Sequence, residues 1–209
     1  MKKIEKIVIA TRNSAKRDRY GRILSQVAKE VLGLQDLVIG DKPDEFGETA
    51  EENAEIKSKF YAKKTGLPVL SEDEALYVDF LPLEEQPGVH VRRVGGKDEV
   101  DDDQLLIHWE KIVLKVPEEK RTGRWHTAYS LSTPDGKVKT VALDHPIVFF
   151  SPPSKIRLPG WPMSSLQGPV EFGKPHSELT EEERQQRNQK ADKLILEKLE
   201  ELLAIELEP

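Results

Sequence analysis

The sequence contains no cysteine. That excludes a disulfide scaffold, thiolate metal centres and a cysteine nucleophile together. Histidine is sparse, with five residues at 90, 108, 126, 145 and 176. No two sit close enough to share a helix face, so an H-E-x-x-H zinc site is excluded as well. No apolar run approaches the ~18 residues of a membrane span. The apolar part of the opening MKKIEKIVIA is too short for a signal peptide. A basic excess is also missing: the formal net charge is −6, and Lys and Arg are interleaved with Asp and Glu. A protein that grips a nucleic-acid polymer needs a basic stripe, so polymers and membranes are not the expected partners. One small anionic ligand needs only a few local cations. The expectation is a soluble cytoplasmic protein whose metal chemistry, if any, uses oxygen ligands, which favours Mg²⁺ over zinc.

What is present is enough for a core. The chain has 209 residues, 37% of them hydrophobic, which suits one large domain or two small lobes. Lys6 to Ala10 reads as a buried strand. Tyr20, Ile23, Leu24, Val27 and Val31 form a helical stripe, with Asn13 or Ser14 to cap it and Gly33 to end it. Leu37 to Ile39 is the next expected strand. Thr49 and Glu52 form a capping-box pattern for a helix to about Lys64, stopped by Gly66. Pro68 to Leu70 and Leu76 to Phe80 read as strand segments flanking an acidic turn. Asp101 to Val116 is an amphipathic helix with acid in its first turn. From Arg124 the apolar period becomes two, and Pro134-Asp135-Gly136 turns the chain into a strand from Lys137 to Leu143, with Ile147 to Phe150 continuing. Residues 151–175 have no period and read as a long loop. A helix from about Glu181 to Leu203 follows, capped by Thr180.

Three segments carry candidate chemistry. The turn Thr11-Arg12-Asn13-Ser14-Ala15-Lys16 links a strand to a helix, where free N–H groups and the helix dipole meet. Thr11, Asn13 and Lys16 suit a phosphate cradle, although the pattern equally fits a capped helix with exposed basic residues. The second candidate is acidic. Glu45 precedes the second helix, Asn53 and Lys57 share a face of it at a spacing of four, and Ser71-Glu72-Asp73-Glu74 sits at a strand end. A plain acidic turn is the competing reading. The third candidate is Trp161 on the loop with Arg184, Arg187 and Lys190 on the last helix. Glu181, Glu182 and Glu183 could pair those cations on a solvated face.

In order and spacing, these segments resemble the inosine triphosphate pyrophosphatase family along nearly the whole chain. "KIVIATRNSAK" is similar to its strand followed by T-x-N-x-x-K. "GETAEENAEIKSKFYAKKTGLPVLSEDEALYVDFL" is similar to its helix, TGLP turn and acidic strand. "PGVHVRR" resembles its P-G-x-x-x-A-R, and "SELTEEERQQRNQKADKLI" its last helix. The resemblance implies α/β architecture with a mixed, elongated central sheet flanked by helices. Residues 1–209 would form a single domain of two lobes with an active-site cleft. It also implies Mg²⁺-dependent hydrolysis of a nucleoside triphosphate, with a non-standard base, to the monophosphate and pyrophosphate.

On that resemblance Thr11, Asn13, Lys16, Asn53 and Lys57 would hold substrate. Glu45 and Asp73 would bind metal with Glu72 as helper, and Asp73 would act as base. The family commonly forms homodimers; Trp109 suits an interface or a core equally. Departures cluster at two places. Glu74-Ala75 replaces the family's Ser-Gly, which sets a further carboxylate beside the phosphates. Trp161-Pro162-Met163-Ser164 keeps the aromatic of the base-reading loop without its carboxylate, Gln189-Lys190 replaces a His-Arg pair, and Arg184 replaces a lysine. Base preference is therefore expected to differ. Two further readings stay open: a nucleotide-binding protein without catalysis, and a pyrophosphatase for another modified nucleotide.

Overall fold

The computed structural model describes residues 3–97, 99–158 and 161–207, apart from the side chains of residues 15 and 202–207. The chain divides into two compact units. One comprises Met1–Glu74, Thr127–Leu143 and Gln189–Pro209; the other comprises Ala75–His126 and Asp144–Asn188. Six strands hydrogen-bond in the order β2-β1-β3-β4-β5-β6. They are β1 (Ile4–Ile9), β2 (Ala28–Gly33), β3 (Val69–Val78), β4 (Thr122–Ser132), β5 (Val138–Phe149) and β6 (Gln167–Pro169). The helices are α1 (Ser14–Leu24), α2 (Ala50–Thr65), α3 (Asp102–Val113) and α4 (Glu181–Leu207). The sheet is mixed, as expected: β1 pairs in parallel with β2 and β3, and β5 is antiparallel to β6.

The first unit is organised by the two-residue period of its strands. Successive side chains point to opposite faces. Ile7 and Ile9 of β1, Leu70 of β3, and Tyr129 and Leu131 of β4 pack with Tyr20, Ile23 and Leu24 of α1 and with Ile195 and Leu199 of α4. Val8, Ala10 and Val69 pack instead with Tyr61 and Ala62 of α2. Helices α1 and α2 therefore cover opposite faces of the same strands. Helix α2 is closed at both ends by its own sequence. Thr49 and Glu52 form the capping box, and Gly66 takes the left-handed φ of 68° at the C-cap.

Several elements differ from the sequence reading. Helix α1 stops at Leu24, because Val27 turns on the Leu24 carbonyl and its own carbonyl accepts from the Ile4 N–H at 3.0 Å. Val31 thus lies in β2, opposite Ile7, and Gly33 ends a strand rather than a helix. Residues 37–39 are a turn and its exit, with Val38 N–H donating to the Gln35 carbonyl. The two segments expected to flank an acidic turn are one continuous strand, β3. Residues 137–143 and 147–150 likewise merge into β5. Helix α3 ends at Val113, three residues early, with Leu114 as its C-cap, and α4 runs on to Leu207.

The second unit packs around α3 and the outer strands. Leu105, Leu106, Trp109 and Val113 meet Leu76, Val78, Ile147 and Phe149. Trp109 stacks on Phe149 with centroids 6.1 Å apart, which places Trp109 in the core. Gly123 is required here, since a Cβ would lie 2.6 Å from the Tyr77 carbonyl oxygen. The segment expected as a structureless loop contains a buried stretch, residues 163–169. Met163, Ser164, Ser165, Leu166 and Gln167 are all inside, and β6 pairs Val148 with Gly168. Its period is unreadable because short 3₁₀ turns flank a strand of only three residues.

Trp109→Ala removes a large side chain from this core and is expected to cost about 3–5 kcal/mol. Leu114→Ala, at an exposed position, is expected to change stability by less than about 0.5 kcal/mol. Urea unfolding of the two variants checks the contrast.

Candidate functional site

The site in the first unit is built on the alternation of β3. Glu72 and Glu74 point to the α1 face with Leu70, and Asp73 to the α2 face with Val69. Lys16, in the first turn of α1, sets its Nζ 2.7 Å from Glu72 Oε1 and 2.8 Å from Glu74 Oε2. Lys57, on α2, sets its Nζ 2.7 Å from Asp73 Oδ1 and 3.4 Å from Glu45 Oε2. Ser71 also faces α2 and donates to the Ala54 carbonyl. The acidic run is neither a turn nor a solvated face: each lysine is shared by two carboxylates.

The turn after β1 places Lys16. The Thr11 hydroxyl accepts from the Asn13 N–H at 3.2 Å. Asn13 Oδ1 accepts from the Lys16 N–H at 3.2 Å and caps α1. Thr11 and Asn13 thus shape the turn, and Lys16 reaches from it to the strand. Asn53 is buried. Its Oδ1 accepts the Gly47 N–H at 2.8 Å and its Nδ2 donates to the Gly47 carbonyl at 3.4 Å. That side chain is occupied by the segment carrying Glu45 and holds Glu45 within reach of Lys57.

Two contributors were absent from the sequence reading. Arg12 Nη2 donates to the carbonyls of Gly40 and Asp41 at 2.5 and 3.0 Å, tying down the start of the Glu45 segment; its place inside the cradle motif was the available signal. Tyr20 lies one helical turn beyond Lys16 and meets Tyr129 edge-on, with centroids 5.9 Å apart. Burial, then the charge of Glu72, pushes both phenols up, so they stay neutral.

Burial sets the electrostatics of the carboxylates. Desolvation pushes the Glu72 carboxyl up; the Lys16 ammonium pulls it back, and Glu74 adds to the rise. Burial alone would lower Lys16 and Lys57, yet the facing carboxylates outweigh it and hold both ammonium groups charged. Glu72 Oε2 is buried with no hydrogen-bond partner.

Among the described residues, no three Asp, Glu or His side chains form a ready-made metal cage. Mg²⁺, however, is commonly held by one or two carboxylates plus substrate phosphates. Glu45 and Asp73, which converge on one ammonium, fit that mode; Glu72, on the opposite face of β3, does not join them in a three-carboxylate group.

The other predicted residues are distributed differently. Gln189 and Lys190 are exposed on the part of α4 that belongs to the first unit. Trp161, 44% exposed, and Arg184 belong to the second. Arg184 Nη2 reaches the Ser177 carbonyl at 3.5 Å.

Fold and site together define an α/β protein that presents two shared ammonium groups along one acidic strand. A sequence model of the Ham1 family matches residues 7–144. A dITP/XTP pyrophosphatase of Exiguobacterium sibiricum is 38% identical over 136 residues, 65% of this chain and 67% of that one. The dITP/XTP pyrophosphatase of a Thermoanaerobacter species is 30% identical over 94% of this chain and 99% of its own length. Among solved structures, a nucleoside-triphosphatase / dITP/XTP pyrophosphatase from Mycobacterium abscessus aligns with a TM-score of 0.72 at 27% identity, covering 91% of this chain and 97% of that chain. The Staphylococcus aureus Ham1 protein shares the fold, with a TM-score of 0.74 at 23% identity over 94% and 98% of the two chains. The chain belongs to the Ham1 family, the group of the inosine triphosphate pyrophosphatases it resembles.

The raised Glu72 carboxyl has a consequence for stability. The folded chain holds that proton more tightly than the unfolded chain does. Above its ordinary value of 4.5 the native state keeps more protons bound, so stability falls as pH rises through the window up to the folded value. Glu72→Gln lacks this slope. In buffers containing EDTA, the stability of Glu72→Gln relative to the parent chain should grow with pH from 4.5 upward and then level off. A difference that shrinks with pH in urea titrations overturns the assignment.

Proposed function

We propose that this chain hydrolyses a nucleoside triphosphate to the monophosphate and pyrophosphate, with Mg²⁺ as cofactor and Asp73 as the base. The observation that carries the reading is the pair of lysines from α1 and α2 held on one acidic strand. It is supported by the relatives, whose names are dITP/XTP pyrophosphatase. Lys16 and Lys57 would bind the phosphate chain through donors they hold charged, and charge developing on the phosphoryl oxygens would be met by groups already in place. Thr11 and Asn13 would orient that chain by fixing the turn that carries Lys16. Asp73, oriented by Lys57, would take the proton of the attacking water as the α–β phosphoanhydride bond breaks and pyrophosphate departs. Glu45 and Asp73 would hold Mg²⁺, which when bound neutralises phosphate charge and polarises a phosphoryl oxygen. Gln189 and Lys190, in the same unit as the two lysines, would read the base, giving this chain a preference of its own. The protein would act as a homodimer in the cytoplasm.

The test is a panel of dITP, XTP, ATP and GTP with Mg²⁺, scored for pyrophosphate against orthophosphate. Pyrophosphate release on at least one substrate is expected, abolished by EDTA. Asp73→Asn should lower kcat by about 10²–10⁴-fold with the fold intact by circular dichroism. Full activity in that variant overturns the base assignment. Saturable nucleotide binding without product from the parent chain would replace hydrolysis by binding alone. Light scattering at twice the chain mass checks the dimer.

A further inference from the structure

Lys16 is shared unequally. Glu72 Oε1 lies 2.7 Å from its Nζ and Glu74 Oε2 2.8 Å from it, yet the two carboxylates differ in position. The Glu72 side chain is 8% exposed and Glu74 31%. Glu72 therefore backs the ammonium from inside the sheet, and Glu74 covers it from the solvent side. The strand brings both carboxylates to the same lysine, because residues two apart share a face. A single ammonium neutralises one carboxylate. Glu72 is the more buried partner, so the second carboxylate, Glu74, carries its charge at the more exposed position. Lysine offers three donors, and a phosphate oxygen that reaches Lys16, itself 21% exposed, must share the ammonium with the Glu74 carboxylate or displace it.

We propose that Glu74 is a gate carboxylate: it occupies the solvent side of Lys16, competes with the phosphate chain of the substrate for that ammonium, and thereby sets the affinity of the site. This rests on the phosphate-binding part of the proposed function and adds to it a positioning residue that weakens binding. The Lys57 pairs lack this arrangement. There the more exposed partner, Glu45, sits farther from Nζ than Asp73, at 3.4 against 2.7 Å.

The experiment uses tripolyphosphate with saturating Mg²⁺, a ligand with no base or sugar, in calorimetry on the parent chain and on Glu74→Ser, Glu74→Gln and Glu74→Asp. Removal of the charge should tighten binding about tenfold in the Ser and Gln variants, and kcat/KM for the best nucleoside triphosphate should rise with it. Glu74→Asp keeps the charge and should stay within about twofold of the parent. A merely structural role would separate Ser from Gln by size; the charge role groups them against Asp. Equal affinity across the series with turnover retained overturns the gate and leaves the pyrophosphatase reading standing. Tightened binding in Ser and Gln without turnover in any chain keeps the gate and overturns the pyrophosphatase reading. No binding of tripolyphosphate by any of the four overturns both.

Discussion

A carboxylate taken out of water costs several kcal/mol unless a cation meets it with good geometry. Strand β3 carries three acidic side chains in succession beside its parallel pairing with β1. The first unit is arranged around that burden. Alternation sends Glu72 and Glu74 to one face and Asp73 to the other, so no single cation and no single helix could compensate the strand. Two helices are needed, one on each face, and each brings a lysine at the required height. The same alternation divides the apolar core into one cluster under α1 and α4 and another under α2. Charge compensation and hydrophobic burial therefore impose the same placement of α1 and α2.

The loops around these helices serve the same constraint. Asn13 caps α1 and fixes where Lys16 leaves the turn. Arg12 grips the carbonyls of Gly40 and Asp41, and Asn53 grips Gly47, so the segment carrying Glu45 is held at both ends. On the α2 face, Ser58 bonds the hydroxyls of Ser130 and Ser132 at 3.0 and 2.7 Å. A buried hydroxyl network of this kind satisfies its own donors and fixes the lateral position of the helix. The lysine-bearing helices are rigidly seated, which is what electrostatic stabilisation of a phosphoryl group requires.

This arrangement is poised rather than neutral. Lys16 and Lys57 supply two positive charges against Glu45, Glu72, Asp73 and Glu74, and one Glu72 oxygen has no partner. A site with that balance does not hold a polyphosphate by lysines alone. It fits a ligand that arrives with a cation, in which carboxylates and phosphates divide the metal between them. The chain as a whole carries a formal net charge of −6, and the two ammonium groups of the site are set individually by α1 and α2.

Local features were legible without the structure. The Thr49–Glu52 box, the Gly66 stop, the acid-led start of α3 and the Pro134–Gly136 turn all depend on residues within a few positions of one another. The continuous apolar run of KIVIA and the two-residue period of residues 125–131 also follow directly from the chain. So did the residue types of the site, since Lys16, Lys57, Glu45 and Asp73 sit in motifs that read in order. Only tertiary structure decided the rest. Val31 has the spacing of a helical stripe, but pairing with β1 draws it into a strand. Residues 71–74 have the composition of an exposed turn, but lysines 16–58 positions away in the chain let them run through a sheet. Residues 163–169 lack any period and are buried all the same. Caps and periods act over one or two turns of backbone. Desolvation, ion pairing and strand register act between segments that only folding brings together.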